Sequence, residues 1–152
     1  MTGMKRLIGL PVIMDGRQVG TVERGVLHPD GKALRGLMIR EGMRTARWID
    51  ASSISLLGQL SILCSTPPVK PPRDSAFRLF RVTDANGLRI GLVTDALLDE
   101  ETLRVTALEI SSGPVDDLID GRFFATSFDV KSCGATGHVT IPCKESGKEA
   151  RS

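Results

Sequence analysis

The sequence predicts an all-β protein of two small barrels in tandem, joined by a proline-rich linker. Three observations lead to this fold class: an internal repeat, short apolar runs separated by turn residues, and a proline-rich segment between the two copies. The stretch DGRQVGTVERGVLHPDGKALRGLMIREG, residues 15–42, aligns without a gap on NGLRIGLVTDALLDEETLRVTALEISSG, residues 86–113. The residues that match at this 71-residue offset are mainly glycines and apolar side chains, namely Gly16/Gly87, Gly20/Gly91, Val22/Val93, Leu27/Leu98, Leu37/Leu108, Ile39/Ile110 and Gly42/Gly113.

The repeat and the linker divide the chain into four parts. We predict a first barrel over residues 1–65, a linker over 66–76, a second barrel over 77–143 and a disordered tail over 144–152. Prolines at 67, 68, 71 and 72 favour an extended, semi-rigid spacer. The tail KESGKEARS is charged and has no apolar anchor.

Both copies have the composition of β-strands. Val, Ile, Leu and Thr dominate short runs, and pairs such as Asp15-Gly16 and Asn86-Gly87 mark turns. The N-terminal stretch from Leu7 is expected to be a first strand, and each copy is expected to end on a short apolar strand, at 60–64 and 138–143. Short helical turns are expected at 51–55 and 115–120.

Beyond Gly42 the alignment of the copies needs a length change. Arg47-Trp48-Ile49 aligns with Arg122-Phe123-Phe124, which assigns four extra residues to the second copy, inside PVDDLID.

Four glycines are expected to be structurally essential. The apolar alternation changes face at Gly20 and again at Gly91, which predicts a bulge or tight bend in a strongly coiled sheet. Such corners are what small closed barrels require. Gly16 and Gly87 follow Asp or Asn in predicted turns.

These residues resemble the PRC-barrel family, which includes the reaction-centre H subunit and the C-terminal domain of a ribosome maturation factor. Leu7, Gly9 and Val12 match the opening of the family pattern. Its next block, Asp/Asn-Gly-x-x-(Ile/Val)-Gly-x-Val, occurs at residues 15–22 and again at 86–93. The second copy lacks the opening glycine, since LFRVTDANG replaces it. The resemblance implies small bacterial all-β modules that mediate protein contacts, without catalytic residues or cofactors to transfer.

The strongest candidate for chemistry is a zinc site at Cys133, His138 and Cys143. A zinc knuckle needs a further cysteine, whose position is taken by Val130, although Cys64 is a conceivable fourth ligand. Thiols without a metal are the simpler interpretation, so no metal or cofactor is expected. The sequence contains neither a nucleophile elbow nor a Walker A loop, and the acidic runs 99–101 and 116–117 lie in predicted turns, so no enzyme activity is expected.

Charge differs sharply between the copies. Residues 1–64 hold nine basic and five acidic side chains, net +4, and residues 77–143 hold six basic and ten acidic, net −4. Arg35, Arg40, Arg44 and Arg47 cluster around one predicted hairpin. They are either a solvated hairpin or a surface for a partner.

Two functions are compatible with this pattern. The first is a non-enzymatic protein–protein interaction or scaffolding module, whose barrels contact an unknown protein or each other, within one chain or in a dimer. The alternative is a ribosome- or RNA-associated assembly factor that uses the four arginines. Each copy is small enough to be marginal alone, so we expect the barrels to pack through an apolar patch with a charged rim. Aromatics are only 4% of the sequence, which disfavours single-strand nucleic-acid binding.

The expected location is the cytoplasm, without membrane insertion. No apolar run approaches the ~20 residues that a spanning helix needs. Pro11 interrupts the N-terminal apolar run, which disfavours a signal peptide. The three cysteines are an odd number at no characteristic spacing, which favours reduced thiols.

Overall fold

The structure is a computed structural model that describes residues 1–112 and 122–142. The described residues form two β-sheets and contain no α-helix, which confirms the all-β prediction. The first sheet consists of β2 (Pro11–Met14), β3 (Arg17–Leu27), β4 (Leu34–Arg40), β5 (Arg47–Asp50), β6 (Ile54–Leu57) and β7 (Ile62–Cys64). The second consists of β8 (Arg78–Asp84), β9 (Arg89–Leu98), β10 (Val105–Ser111), β11 (Phe123–Ala125), β12 (Asp129–Cys133) and β13 (Thr136–Ile141), together with β1 (Thr2–Gly3).

The two sheets have the same topology. Their strand orders are β5-β4-β3-β2-β7-β6 and β11-β10-β9-β8-β13-β12, so each strand of the first has a counterpart in the second. Each sheet contains a parallel strand pair that includes its last strand in chain order, β2 with β7 in the first sheet and β8 with β13 in the second. We refer to the sheets, with the residues that pack inside them, as the first and second unit.

Neither unit is a closed barrel in its hydrogen bonding. Within the described ranges, the end strands β5 and β6 do not pair, and neither do β11 and β12. The two units are therefore the expected barrel-like sheets, which their backbone hydrogen bonds do not close. In the first unit the free side of β5 is occupied by the linker instead, since the Trp48 N–H donates to the Val69 carbonyl over 2.7 Å.

The predicted spacer does not stand apart from the first unit, because it forms backbone hydrogen bonds with β5. Val69 and Trp48 exchange two backbone hydrogen bonds, and the Arg47 guanidinium donates to the Pro68 carbonyl. The prolines leave Val69 as a residue with a free N–H between them, so this position pairs with the sheet edge. The linker therefore lies along the first unit as an added edge segment.

The N-terminus also differs from the predicted first strand. Residues Met4–Leu7 form a 3-10 helix, and the strand begins only at Pro11, a position that tolerates the missing N–H. The preceding pair, Thr2–Gly3, joins the second sheet by pairing with Leu97–Leu98 of β9. The first residues of the chain thus belong to the opposite unit.

Bulges recur at equivalent positions of the two long strands. Between β2 and β3 the register shifts at Val19, and between β8 and β9 it shifts at the equivalent Ile90. Further along, Glu23 in β3 and Thr94 in β9 are also extra residues in their ladders. Each bulge adds twist, which coils the sheet enough to enclose a core.

The sequence alignment beyond Gly42 is shifted by one residue. In the first sheet Met38 pairs with Trp48, and in the second the equivalent Glu109 pairs with Phe124. Trp48 therefore corresponds to Phe124, not Phe123, and the second copy has five extra residues instead of four. A one-residue slip matters because it exchanges the two faces of a strand.

A continuous core extends through both units. Fully buried side chains from the first sheet, such as Leu34 and Leu37, belong to the same apolar cluster as Leu98 and Leu108 of the second. Ala51–Ser53 form the expected helical turn near 51–55. The predictions for Gly113, for the insertion and turn at 115–120, for Asp116-Asp117, for Cys143 and for the tail 144–152 lie outside the described residues.

Candidate functional site between the units

The two units contact each other around an approximate two-fold axis. Ala33 forms an antiparallel bridge with Arg104, which is its own counterpart in the repeat. The flanking hydrogen bonds are reciprocal: the Leu34 N–H donates to the Leu103 carbonyl over 2.8 Å, and the Val105 N–H donates to the Lys32 carbonyl over 2.9 Å. A contact between a residue and its own counterpart is the mark of an isologous interface, as in a symmetric dimer.

A second reciprocal pair lies further from the axis. The Arg24 guanidinium donates to the Ser75 carbonyl, and the Asp95 carboxylate accepts the Lys5 N–H over 3.1 Å. Arg24 and Asp95 are repeat counterparts, and the pairing of Val12 with Gly20 and of Val82 with Gly91 makes Lys5 and Ser75 counterparts as well. Each unit therefore holds the segment that precedes the other unit's first strand.

Apolar packing and two ion pairs complete this interface. Phe77 of the second unit packs against Val26 and Trp48 of the first in a small buried cluster. The N-terminal ammonium lies 2.7 Å from Glu100, and Arg35 pairs with Asp74 at the end of the linker. The hydrogen bond from Arg35 holds the pKa of the Asp74 carboxyl below its usual value. Both ion pairs are partly exposed, so they rim an interface whose stability comes mainly from burial.

A cleft of about 640 Å³ opens between the units beside these contacts. Its walls are the long strands β3 and β9, and its ends are the Met4–Leu7 segment and the start of β8. The size is typical of clefts that bind ligands. Apolar side chains from both units line it, namely Met4, Ile8, Met38, Phe77, Leu79 and Val93.

The charged groups of the cleft are predominantly basic. Arg24 and Arg78 both line it, and so do Lys5, Arg40, Glu23 and Asp95. Burial and the neighbouring Arg78 lower the pKa of Arg24, while Glu23 partly offsets this effect. Two guanidinium groups that repel each other at a partly apolar site favour an anionic ligand.

The sequence analysis did not select Arg24 or Arg78. Arg24 in β3 is the counterpart of Asp95 in β9, so this position is basic in the first copy and acidic in the second. That reversal is visible in the aligned sequences. Its meaning depends on the two-fold packing, which brings both residues to one cleft.

The four arginines that the sequence selected are not brought together as one cluster. Arg35 pairs with Asp74 at the interface, and Arg40 pairs with Glu23 over 3.0 Å in the cleft. Arg40 also donates to the Arg44 carbonyl over 2.8 Å, Arg44 pairs with Glu41, and Arg44 and Arg47 line a second depression.

The selected glycines lie at turns and close contacts. Gly16 and Gly87 have φ angles of 77° and 84°, a region that favours glycine. Gly20 and Gly91 are buried beside the bulges at Val19 and Ile90. A Cβ at Gly20 would lie 3.0 Å from the flexible end of Ile39, whereas at Gly91 it would overlap the Ser111 carbonyl oxygen.

Two of the candidate zinc ligands, Cys133 and His138, lie on one hairpin, and Cys143 is outside the described residues. Cys133 is exposed and pairs with Thr136, His138 pairs with Lys131, and Val130 packs at the units' apolar contact. The His138 ring forms a hydrogen bond with the Thr83 hydroxyl over 3.0 Å. Cys64 is buried in the first unit, and burial raises the pKa of its thiol. Within residues 1–112 and 122–142, no group of three His, Cys, Asp or Glu side chains converges on a point.

Fold and interface together define a two-unit, barrel-like β protein with an open cleft between the units. Residues 73–144 match the family model of the PRC-barrel domain, a range that contains every strand of the second sheet except β1. The chain therefore contains a PRC-barrel domain, and the resemblance seen in the sequence is confirmed there. A search of curated proteins found no match. In the part of the chain that the structure describes, no helix has the length and apolarity to cross a membrane.

Proposed function

We propose that the chain is a non-enzymatic protein-interaction module in which residues 1–65 form a second PRC barrel. The shared strand order and the recurring bulges support the second barrel. The observation that carries the function is the reciprocal packing, because it makes one platform from two small units and leaves a cleft lined by both. The proposed setting is the cytoplasm, where the free thiols of Cys64 and Cys133 would stay reduced.

The alternative, an RNA- or ribosome-associated factor, has less support. It depends on arginines that are free to bind phosphates. Arg35, Arg40 and Arg44 each pair with a carboxylate of the same chain, and Arg47 donates to a linker carbonyl. Breaking such pairs would offset part of the electrostatic gain from RNA.

Two matched substitutions test the cleft as a protein-binding surface. Ile8 lines the cleft and is 53% exposed, whereas Leu88 is 56% exposed on the turn between β8 and β9 and lies outside the cleft. The full chain is used as bait in a lysate of its own cells, after nuclease treatment, and bound proteins are identified by mass spectrometry.

We expect one protein to be enriched by the parent and by Leu88→Glu, and lost with Ile8→Glu. A buried carboxylate at the contact would cost affinity, since its desolvation is not compensated. Equal recovery by both variants would exclude the cleft as the binding surface. Recovery from a parallel lysate without nuclease treatment, but not from the treated one, would favour the alternative function.

A further inference from the structure

Carboxylates of the described chain compensate the arginine pair of the cleft only in part. Glu23 pairs with Arg40, and the Asp95 carboxylate accepts the N–H groups of Lys5 and Ala96. Arg24 donates to a carbonyl oxygen across the interface. The Arg78 side chain makes no hydrogen bond or ion pair with residues 1–112 or 122–142, and it is exposed at the rim of the cleft.

One wall of the same cleft is the part of β9 between its pairing with β8 and its pairing with β1, where the Met4–Leu7 segment lies beside it and no strand does. In β9, Leu92 pairs with β8 and Leu97 pairs with β1. Between them, Val93, Asp95 and Ala96 pair with β10 on one side, Thr94 is the bulge residue, and within the described ranges no strand pairs with the other side. All four of these residues line the cleft. An open strand edge offers backbone hydrogen bonds to an extended peptide, as in strand addition.

Charge and backbone therefore specify the same kind of ligand. Carboxylates complement Arg24 and Arg78 through charge-assisted hydrogen bonds. Apolar side chains complement the floor formed by Met38, Phe77 and Leu79, and alternate residues of an extended peptide point to opposite sides. A segment that alternates acidic and aliphatic residues can pair with the arginines and also form backbone hydrogen bonds with the strand edge. A small anion can pair with the arginines only.

We propose that the cleft binds an extended acidic peptide segment of a partner protein, with its carboxylates on Arg24 and Arg78 and its backbone along Val93–Ala96. This inference rests on the proposed interaction function and names the chemistry of the partner. Positive charge is in excess at this site, because four basic side chains line the cleft, Lys5, Arg24, Arg40 and Arg78, against two acidic ones, Glu23 and Asp95.

The test measures fluorescence anisotropy of labelled peptides with the full chain. The probe alternates glutamate with leucine, and comparison peptides carry glutamine or lysine in place of glutamate. We expect the glutamate probe to bind and Arg78→Gln to weaken it about tenfold, the loss typical of one charge-assisted hydrogen bond. Arg89→Gln is the matched control, because Arg89 is an exposed arginine at the start of β9 and lies outside the cleft, and it is expected to leave affinity unchanged.

Amide chemical shifts locate the peptide independently of affinity. We expect the largest changes at Val93–Ala96. Equal binding of the glutamine peptide, equal losses for Arg78→Gln and Arg89→Gln, or shifts confined to the surroundings of Arg44 and Arg47 would overturn the proposal. So would tighter binding of a labelled single-stranded RNA that competes with the peptide. If the peptide fails while a cellular protein is still lost with Ile8→Glu, the interaction function stands and the acidic-peptide inference is wrong.

Discussion

Replacing Gly91 with valine is expected to destabilise the protein by about 3 kcal/mol, at the upper end of what overpacking costs. A Cβ at this position would overlap the carbonyl oxygen of Ser111 and lie 2.9 Å from its carbonyl carbon. Those atoms belong to the ladder between β9 and β10, so they cannot move without breaking strand pairing. Chemical denaturation followed by circular dichroism measures the loss.

The repeat supplies a matched control for this change. Gly20→Val places the same side chain at the counterpart position, where the first obstacle is the flexible end of Ile39 at 3.0 Å. We expect a loss of about 1–2 kcal/mol there, since a side-chain terminus can rotate away. If Gly20→Val costs as much as Gly91→Val or more, the close approach of Gly91 to β10 is wrong.

Truncating Phe77 to alanine is the second change with a large expected effect, about 3–5 kcal/mol. Phe77 is buried at the junction of the linker and β8, where it contacts Val26 and Trp48 of the opposite unit. The loss removes apolar contacts that hold the units together, so we expect the whole chain still to unfold in one transition, at lower denaturant.

Phe80→Ala is the control for Phe77→Ala, because Phe80 lies three residues further along, on β8, and is exposed. It is expected to cost well under 1 kcal/mol. Similar losses for both variants would show that Phe77 does not pack between the units. Two separate transitions for the parent chain would show that the units fold independently.

The all-β class and the two-unit organisation were predictable because they depend on local sequence signals. Glycines and apolar residues recur at one offset, and strand and turn signals repeat with them. The bend near Gly20 and Gly91 was also accessible, since an interrupted alternation is a local signal. The structure indeed has bulges beside both glycines.

The features that the sequence did not reveal depend on contacts between distant segments. Trp48 is 3% exposed under the linker, whereas its counterpart Phe124 is 54% exposed. Because these equivalent positions differ in burial, β5 and β11 do not share a pattern of buried residues by which their sequences could be aligned. The crossing of Thr2–Gly3 to the second sheet has no local signal either. The cleft arises only when the two-fold packing faces β3 toward β9.

The central claim is that a residue and its own repeat counterpart meet within one chain. In the bridge between Ala33 and Arg104 the flanking hydrogen bonds make this a non-hydrogen-bonded antiparallel pair, whose Cα atoms are typically about 4.5 Å apart. That separation suits a disulfide. The most direct measurement is therefore oxidation of the Ala33→Cys, Arg104→Cys variant, with Cys133 and Cys143 replaced by serine.

We expect complete formation of a disulfide within the chain, seen as loss of two of the three thiols titrated after denaturation, with Cys64 remaining, and as a monomer on a non-reducing gel. The control pair, Ala33→Cys with Arg89→Cys, is expected to stay reduced under the same mild conditions. Persistent free thiols in the Ala33 and Arg104 variant, or bridges that form only between chains, would contradict the intramolecular two-fold arrangement.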